Sequence, residues 1–265
     1  MKKIFVYACI AVLALTAFSD CKGRRGADNV LIVGATPVPH AVLLELIRDD
    51  LAEKGITLRI VEFTDFVQPN AALMAGEIDA NYFQHLPYLE TNPEWSQRLA
   101  SVFGVHVEPF GLYSVRHGNV DDLPDGATIA IPNDPTNGGR ALLLLQTYGL
   151  ITLRDGAGLR ATPRDVVDNP RNFRFLELEA AHLPRALQDV DAATINGNFA
   201  LQAGFNPMRD SLIIEGAESP YVNVVVVQRG REDDEKIAAL KEVMLSDKIR
   251  DFINRTYDGG VVPVF

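Results

Sequence analysis

Hydrophobic positions follow two rhythms along this chain, and the rhythms alternate. Residues 30–35, VLIVGA, form a continuous apolar run that reads as a buried strand. Residues 41–54 carry Val42, Leu43, Leu46, Ile47 and Leu51 at near-helical spacing and stop at Gly55. Residues 56–63 alternate as a second strand would. Strand, helix, strand is the unit that builds parallel sheets, so an α/β class follows. The first turn, Thr36-Pro37-Val38-Pro39, lacks the glycine spacing of a dinucleotide fingerprint, which argues against a Rossmann cofactor role.

The rhythm continues to the end. Residues 70–75 read as a short helix ending at Gly76, and residues 79–89, DANYFQHLPYL, as a strand that meets a helix at Pro87. Two strand-like stretches lie around Val105 and Leu112. The turn DDLPDG at 121–126 precedes the strand 127–131. A short extension is expected at 150–154 and a short helical piece at 163–169. A strand is expected at 173–178, a helix at 183–188 and a strand at 192–195 that runs into Asn196-Gly197-Asn198-Phe199. A helix at 200–204, a strand at 212–215 and a turn ESPYVN at 218–223 come next. Residues 222–227 are β-branched apart from Asn223 and should be deeply buried. Two helices, 232–245 and 247–257, close the chain. There is no internal repeat.

The stretch PNDPTNGGRALLLLQ, residues 132–146, is the strongest candidate for chemistry. It follows a buried strand and opens a buried helix, with Thr136 or Asn137 as cap. Free N–H groups at such a helix start attract anions, and Gly138 and Gly139 would let a ligand approach the backbone. Arg140 adds a guanidinium that can hold a carboxylate in two bonds. A cation at a helix N-terminus is unfavourable by itself, which calls for an anion nearby. That anion is either a ligand or Asp134, the second reading making the stretch a capped surface helix.

Two further places stand out. Tyr82, Phe83, His85 and Tyr88 crowd a few residues of a strand end. Alternation places Tyr82 and Gln84 on one face, Phe83 and His85 on the other. They are either core or an aromatic pocket at the end of a sheet, where α/β proteins bind ligands. Asn223, polar at the mouth of an apolar strand, needs partners. Those are backbone groups or a ligand.

Composition narrows the class. The chain has 265 residues and 47% hydrophobic content, enough for two lobes of ~100–150 residues. Its net charge of -10, with no basic block, argues against nucleic acid as a partner. Lys2 and Lys3 followed by the apolar 4–18 and then Ser19-Asp20-Cys21 are laid out as a secretory signal peptide. It would end either at a lipid-modified Cys21 or at ordinary peptidase cleavage nearby. Residues 22–29 read as a tether. Both cysteines, Cys9 and Cys21, fall in the signal, so the body has no thiol chemistry. No GxSxG elbow or phosphate loop occurs. His40, His85, His106, His117 and His182 form no HxH or HExxH, so no metal and no cofactor are expected, a metal receptor built on dispersed histidines and carboxylates being the minor alternative. What is left suits holding a zwitterion.

The motifs DANYFQHLPYL, PNDPTNGGRALLLLQ, LELEAAHLPRAL, ING-N-F-A and ESPYVN, in that order, resemble those of the periplasmic methionine-binding lipoproteins of ABC uptake systems (NlpA/MetQ type). The likeness runs from about Val30 to the end. It departs at the lipobox, where Phe18 and Asp20 precede Cys21. It implies a two-lobed periplasmic binding protein with mixed, mostly parallel sheets joined by two hinge segments near 111–116 and 221–224. Residues 30–112 and 225–265 would form one lobe and 113–224 the other. It implies a non-enzymatic receptor that captures methionine in the cleft and hands it to permease and ATPase subunits. A palmitate-bearing Cys21 would anchor it on the periplasmic face of a membrane. By position, Arg140 would hold the ligand carboxylate with Asn137 beside it, and Asn198 and Asn223 would bind through their amides. Tyr82, Phe83 and His85 would line the side-chain pocket together with Phe63 and Phe66. The alternatives are a periplasmic enzyme acting on amino acids or short peptides, and a receptor for a methionine-containing dipeptide.

Overall fold

In a computed structural model, residues 29–216 and 219–265 are described. The signal expectation, with Cys9 and Cys21, and the expected tether up to residue 28 therefore lie outside the described residues, as does Glu218 of the expected turn.

The chain begins with β1 (Val30–Ala35), followed by α1 (Val42–Leu46), α2 (Arg48–Glu53) and β2 (Thr57–Glu62). The expected 41–54 helix is thus two short helices, broken at Ile47, where φ is -101° and ψ is 6°. Next come α3 (Gln68–Ala75), β3 (Ala80–His85), α4 (Leu86–Thr91), α5 (Pro93–Arg98) and β4 (Leu99–Val107). Helix α3 stops at Gly76 in the left-handed region, which a residue without Cβ adopts at little cost.

The chain then leaves this sheet for another. It holds β5 (Gly111–Tyr113), β6 (Thr128–Pro132), α6 (Pro135–Thr147), β7 (Thr152–Leu153), β8 (Val166–Asp168), β9 (Arg174–Leu178), α7 (Leu183–Ala186), β10 (Ala192–Ile195), α8 (Gly197–Gln202), α9 (Pro207–Asp210) and β11 (Ile213–Ile214). Where a helical piece was expected at 163–169, the chain makes one 3-10 turn and then β8, which pairs with β7. Strand β12 (Val222–Gln228) returns to the first sheet, and α10 (Glu235–Met244), α11 (Asp247–Tyr257) and β13 (Val262–Pro263) complete it.

The first sheet has the order β13-β4-β12-β3-β1-β2, the second β11-β5-β10-β6-β9. Both are mixed. Strands β1 and β3 run parallel, as do β10 and β6, and β6 and β9. Antiparallel pairing is more common than the strand-helix-strand pattern implies. The reason is β12, which comes back from the second sheet and inserts antiparallel between β3 and β4. Val225, Val226 and Val227 of β12 are fully buried. Each contributes about 1.5–3 kcal/mol of apolar burial, so this returning strand ties the first sheet together.

Two segments connect the sheets: residues 108–110 between β4 and β5, and residues 215–221 between β11 and β12. Among the described residues no helix is long and apolar enough to cross a membrane.

Candidate functional site

Between the two sheets lies a narrow cavity of about 20 Å³. Phe83, Gln84, His85, Tyr88 and Asn223 reach it from the first sheet and α4, and Phe66 from the loop before α3. Glu108 reaches it from the first connecting segment, and Asn137, Arg140, Asn196, Gly197 and Asn198 from the second side.

The Arg140 side of the site begins at α6. Pro135 occupies its first turn and Asp134 is the cap, accepting from the Asn137 backbone N–H at 2.9 Å. The cap is thus two or three residues earlier than Thr136 or Asn137, and the whole PTNGG stretch is helical. The glycines serve the chain itself. A Cβ on Gly138 would stand 2.8 Å from the Pro132 carbonyl oxygen, and one on Gly139 would stand 2.2 Å from that of Leu159. They admit neighbouring backbone rather than a ligand.

Arg140 is almost fully buried, and its anion is Glu215, not Asp134. Nε donates to Glu215 Oε1 at 3.0 Å, and Nη2 donates to Oε2 of the same carboxylate and to the Glu108 carbonyl oxygen. The guanidinium also lies over two rings, with Cζ 3.9 Å from the centroid of Tyr221 and 4.9 Å from that of Phe110. These contacts fix the cation flat and leave Nη1 without a hydrogen-bond partner among the described residues. Glu215 lies 75 residues along the chain from Arg140, beyond any reading of local spacing.

Asn137 lines the cavity, but its amide is already used. Oδ1 accepts from His85 Nε2 at 3.1 Å and from Asn196 Nδ2 at 2.9 Å, while Nδ2 donates to both oxygens of Asp134. His85 is held from the other side as well, because the Tyr88 backbone N–H donates to its Nδ1 at 3.1 Å. Burial, aided by the Arg140 charge, lowers the His85 pKa to about 3, so the ring is neutral with its proton on Nε2.

The aromatic wall is Phe66, Phe83 and Tyr88, with ring centroids 6.0–6.2 Å apart. Phe199 stacks behind Phe66 at 4.9 Å. Tyr82 does not line this wall. It turns into the core of the first sheet, edge-on to His40 at 4.6 Å, with its hydroxyl 2.5 Å from His106 Nδ1. A bulge explains why alternation misplaced its neighbours. Val225 pairs with Tyr82 and Val224 with Gln84, so Phe83 is the extra residue and the side chains change faces after it. Gln84 consequently shares a face with Asn81, and both bond to Asn70. Phe63 is also absent from the wall. Its ring packs over Gly34, where a Cβ would meet it at 2.8 Å.

Glu108 and Asn196 belong to the lining but were not singled out as ligand groups in the sequence, while Tyr88, read there as core or pocket ring, is on it. Glu108 is buried to 6% exposure and sits under His40 and His106. Burial pushes its carboxyl pKa up, opposed by His40, by the Asn198 backbone N–H and by Arg140. Asn223 Oδ1 accepts from His40 Nε2 at 3.1 Å, which leaves its Nδ2 as the group it can offer. Two atoms of the lining residues are buried with no partner among the described residues: the acceptor Asn196 Oδ1 and the donor Asn198 Nδ2.

Two mixed sheets joined by two connecting segments, with a polar cavity between them, are the architecture of periplasmic substrate-binding proteins. The family model of the NlpA lipoproteins matches residues 31–265, and the chain belongs to that family. It is 45% identical over 236 residues to the membrane lipoprotein TpN32 of Treponema pallidum, covering 89% of this chain and 88% of that one. It is 40% identical to the methionine-binding lipoprotein MetQ of Bacillus subtilis, covering 100% and 99%. Among solved structures, a nutrient-binding protein from Burkholderia cenocepacia bound to methionine superposes with a TM-score of 0.85. The two are 40% identical, over 89% of this chain and all of the other.

Proposed function

We propose that this protein is the substrate-binding component of an ABC importer and that it captures free methionine between two lobes. The observation that carries the reading is the pair of unpartnered buried atoms, Asn196 Oδ1 and Asn198 Nδ2, beside one cation and one carboxyl group. Burying such atoms unbonded costs about 1–3 kcal/mol each. An α-amino acid supplies what they need, an ammonium donor and a carboxylate acceptor.

In this reading Arg140 Nη1, Asn198 Nδ2 and Asn223 Nδ2 donate to the ligand carboxylate. Glu108 and Asn196 Oδ1 accept from the ammonium. Phe66, Phe83 and Tyr88 form the wall for the side chain, and His85 and Asn137 hold that wall to α6. A thioether is flexible and polarizable, and sulfur against ring edges gains ~0.3–1.5 kcal/mol. The relatives named for methionine support this choice of ligand.

A two-lobe division is part of the proposal. Boundaries at 112/113 and 224/225, as expected from sequence, would cut β5 and β12, so the sheet each strand joins favours crossings a few residues earlier, at 108–110 and 215–221. Hinge motion at those crossings would close the lobes over the ligand. The reading involves no chemical step: the protein binds, delivers to permease and ATPase subunits, and is held to the periplasmic face of a membrane through lipid on Cys21.

Native mass spectrometry of protein purified from rich medium tests the ligand, since a retained molecule of methionine's mass is the expected result. Calorimetry with methionine after unfolding and refolding to strip the site should then give one bound equivalent. No heat with methionine, together with turnover of an amino acid or peptide, would replace this reading with an enzymatic one.

A further inference from the structure

Beneath the cavity, three side chains from separate segments converge on one point. His40 follows β1, His106 is in β4 and Glu108 begins the first connecting segment. Their ligating atoms all lie within 4.8 Å of one another. His106 Nε2 is 2.8 Å and His40 Nε2 3.4 Å from the same oxygen, Glu108 Oε1. Nitrogen and oxygen ligands about 2.0–2.2 Å from a zinc ion stand about 3.4 Å apart at the tetrahedral angle. The His40–Glu108 separation matches that spacing, and the His106–Glu108 hydrogen bond would lengthen by about 0.6 Å to admit an ion.

The second ring nitrogens are held in the way a metal site requires. Thr36 Oγ1 lies 2.8 Å from His40 Nδ1, and Tyr82 OH lies 2.5 Å from His106 Nδ1. A hydroxyl can donate or accept. Each can donate to Nδ1 while Nε2–H bonds onward, or accept from Nδ1–H while the Nε2 lone pair faces an ion. Metal-bound histidines are oriented by such partners on the other nitrogen. Asn223 Oδ1, 3.1 Å from His40 Nε2, lies beside the same point. All four residues are buried, and Glu108 and Asn223 open onto the cavity, which gives an ion its way in.

We propose that His40, His106 and Glu108 form a binding site for a divalent transition-metal ion of the zinc type, reached through the ligand cavity. Two imidazoles and a carboxylate suit zinc over the harder magnesium or calcium ions. An ion on Glu108 would put positive charge where the ligand's ammonium is proposed to sit. Metal and amino acid would therefore oppose each other, and that coupling alone rests on the methionine reading.

The test is titration of metal-free, ligand-free protein with Zn(II) against a chromophoric chelator, with Co(II) as a spectroscopic probe. One equivalent of Zn(II) is expected, with affinity falling about a hundredfold or more in His106→Gln and His40→Gln. His182→Gln, at an exposed histidine, should leave it unchanged. Co(II) in the unmodified protein should show the intense visible bands of a four-coordinate nitrogen-oxygen site, a readout that holds if a buried variant fails to fold. Excess methionine should weaken Zn(II) binding. No stoichiometric ion, six-coordinate Co(II), or an affinity that follows His182 and ignores His106 would overturn the site. Stoichiometric Zn(II) that methionine does not disturb would keep the site and remove the proposed ammonium position at Glu108.

Discussion

His85 at the end of β3 donates from Nε2 to Asn137 Oδ1, 3.1 Å away in the first turn of α6, and so bonds the first sheet to the helix beside the second. The tautomer follows from the backbone, since Nδ1 is occupied in accepting from Tyr88 N–H. Asn137 also accepts from Asn196 and donates to the cap Asp134, so one amide joins both sides of the cavity. Truncation should act on the fold and the site together. Asn137→Ala leaves the His85 donor unpaired, a loss of about 1–3 kcal/mol for that group alone. Thermal denaturation should show a drop of several degrees, and calorimetry roughly tenfold weaker methionine binding. Weaker binding with an unchanged melting temperature would mean that Asn137 touches the ligand and the bridge is idle.

Arg140 and Glu215 should separate in their effects. The guanidinium keeps Tyr221, Phe110 and the Glu108 carbonyl when its carboxylate partner is neutralised. Glu215→Gln should therefore change methionine affinity by less than about tenfold. Arg140→Ala removes the charge-assisted bond to the ligand and should cost about a hundredfold or more. Equal losses for the two variants, measured by calorimetry, would assign Arg140 to the pair with Glu215 and away from the ligand.

Asn198 makes the opposite prediction to Asn137. Its Nδ2 is buried and unpartnered among the described residues, so the side chain burdens the fold until an acceptor arrives. Asn198→Ala should leave the melting temperature unchanged or raised. Methionine affinity should fall by about 1–3 kcal/mol, or roughly fivefold to 150-fold. A destabilised variant with full affinity would remove Asn198 from the contact set.

Much of this was legible in the chain because the relevant signals are local. The β-branched run of β12 gave a buried strand with Asn223 as its anomaly, and the site has Asn223 on its lining. Arg140 read as a cation needing an anion. The identity of that anion was not readable, because Glu215 begins the second connecting segment, just past β11, and is brought to Arg140 only by the fold of the second sheet. Tyr82 was read as a pocket ring because aromatic residues cluster there, and Phe63 followed from the resemblance alone. Which face a ring of β3 occupies depends on the bulge at Phe83, which only the pairing with β12 reveals. Gly138 and Gly139 looked like room for a ligand, and tertiary packing fills that room with backbone. Glu108 carried no motif, and its importance comes from what the fold places around it.

Neutral His85 makes the fold acid-sensitive. Its pKa falls from about 6.5 in an unfolded chain to about 3 here through burial and then the Arg140 charge. Between those values the unfolded chain holds a proton that the folded one does not. The ring's contribution is therefore whole above pH 6.5 and shrinks as pH falls toward 3. His85→Gln cannot titrate, so the stability gap between the two proteins isolates this group. From pH 7 to pH 5 that gap should move against the unmodified protein by about 2 kcal/mol. Urea unfolding at both pH values measures it, and a constant gap would mean that the ring is already charged or exposed.

Gly197 tests whether Glu108 is a ligand group or merely buried. Helix α8 starts at Gly197, and a Cβ there would stand 2.7 Å from Glu108 Cβ and 3.1 Å from its Oε2. Backbone fixes both Cβ positions, so the start of α8 and the segment at Glu108 must move apart, and the carboxyl group is carried with its backbone. Gly197 has an ordinary negative-φ helical backbone, since it is not among the positive-φ glycines. Alanine in a helix is otherwise favoured over glycine by about 1 kcal/mol, which offsets part of the strain. Gly197→Ala should therefore stay folded by circular dichroism while methionine affinity falls more than about tenfold. Gly118→Ala, where a Cβ would meet nothing within 4 Å, should bind as the unmodified protein does. If Gly197→Ala binds normally, a displaced Glu108 does not matter to the ligand, and the ammonium rests on Asn196 alone.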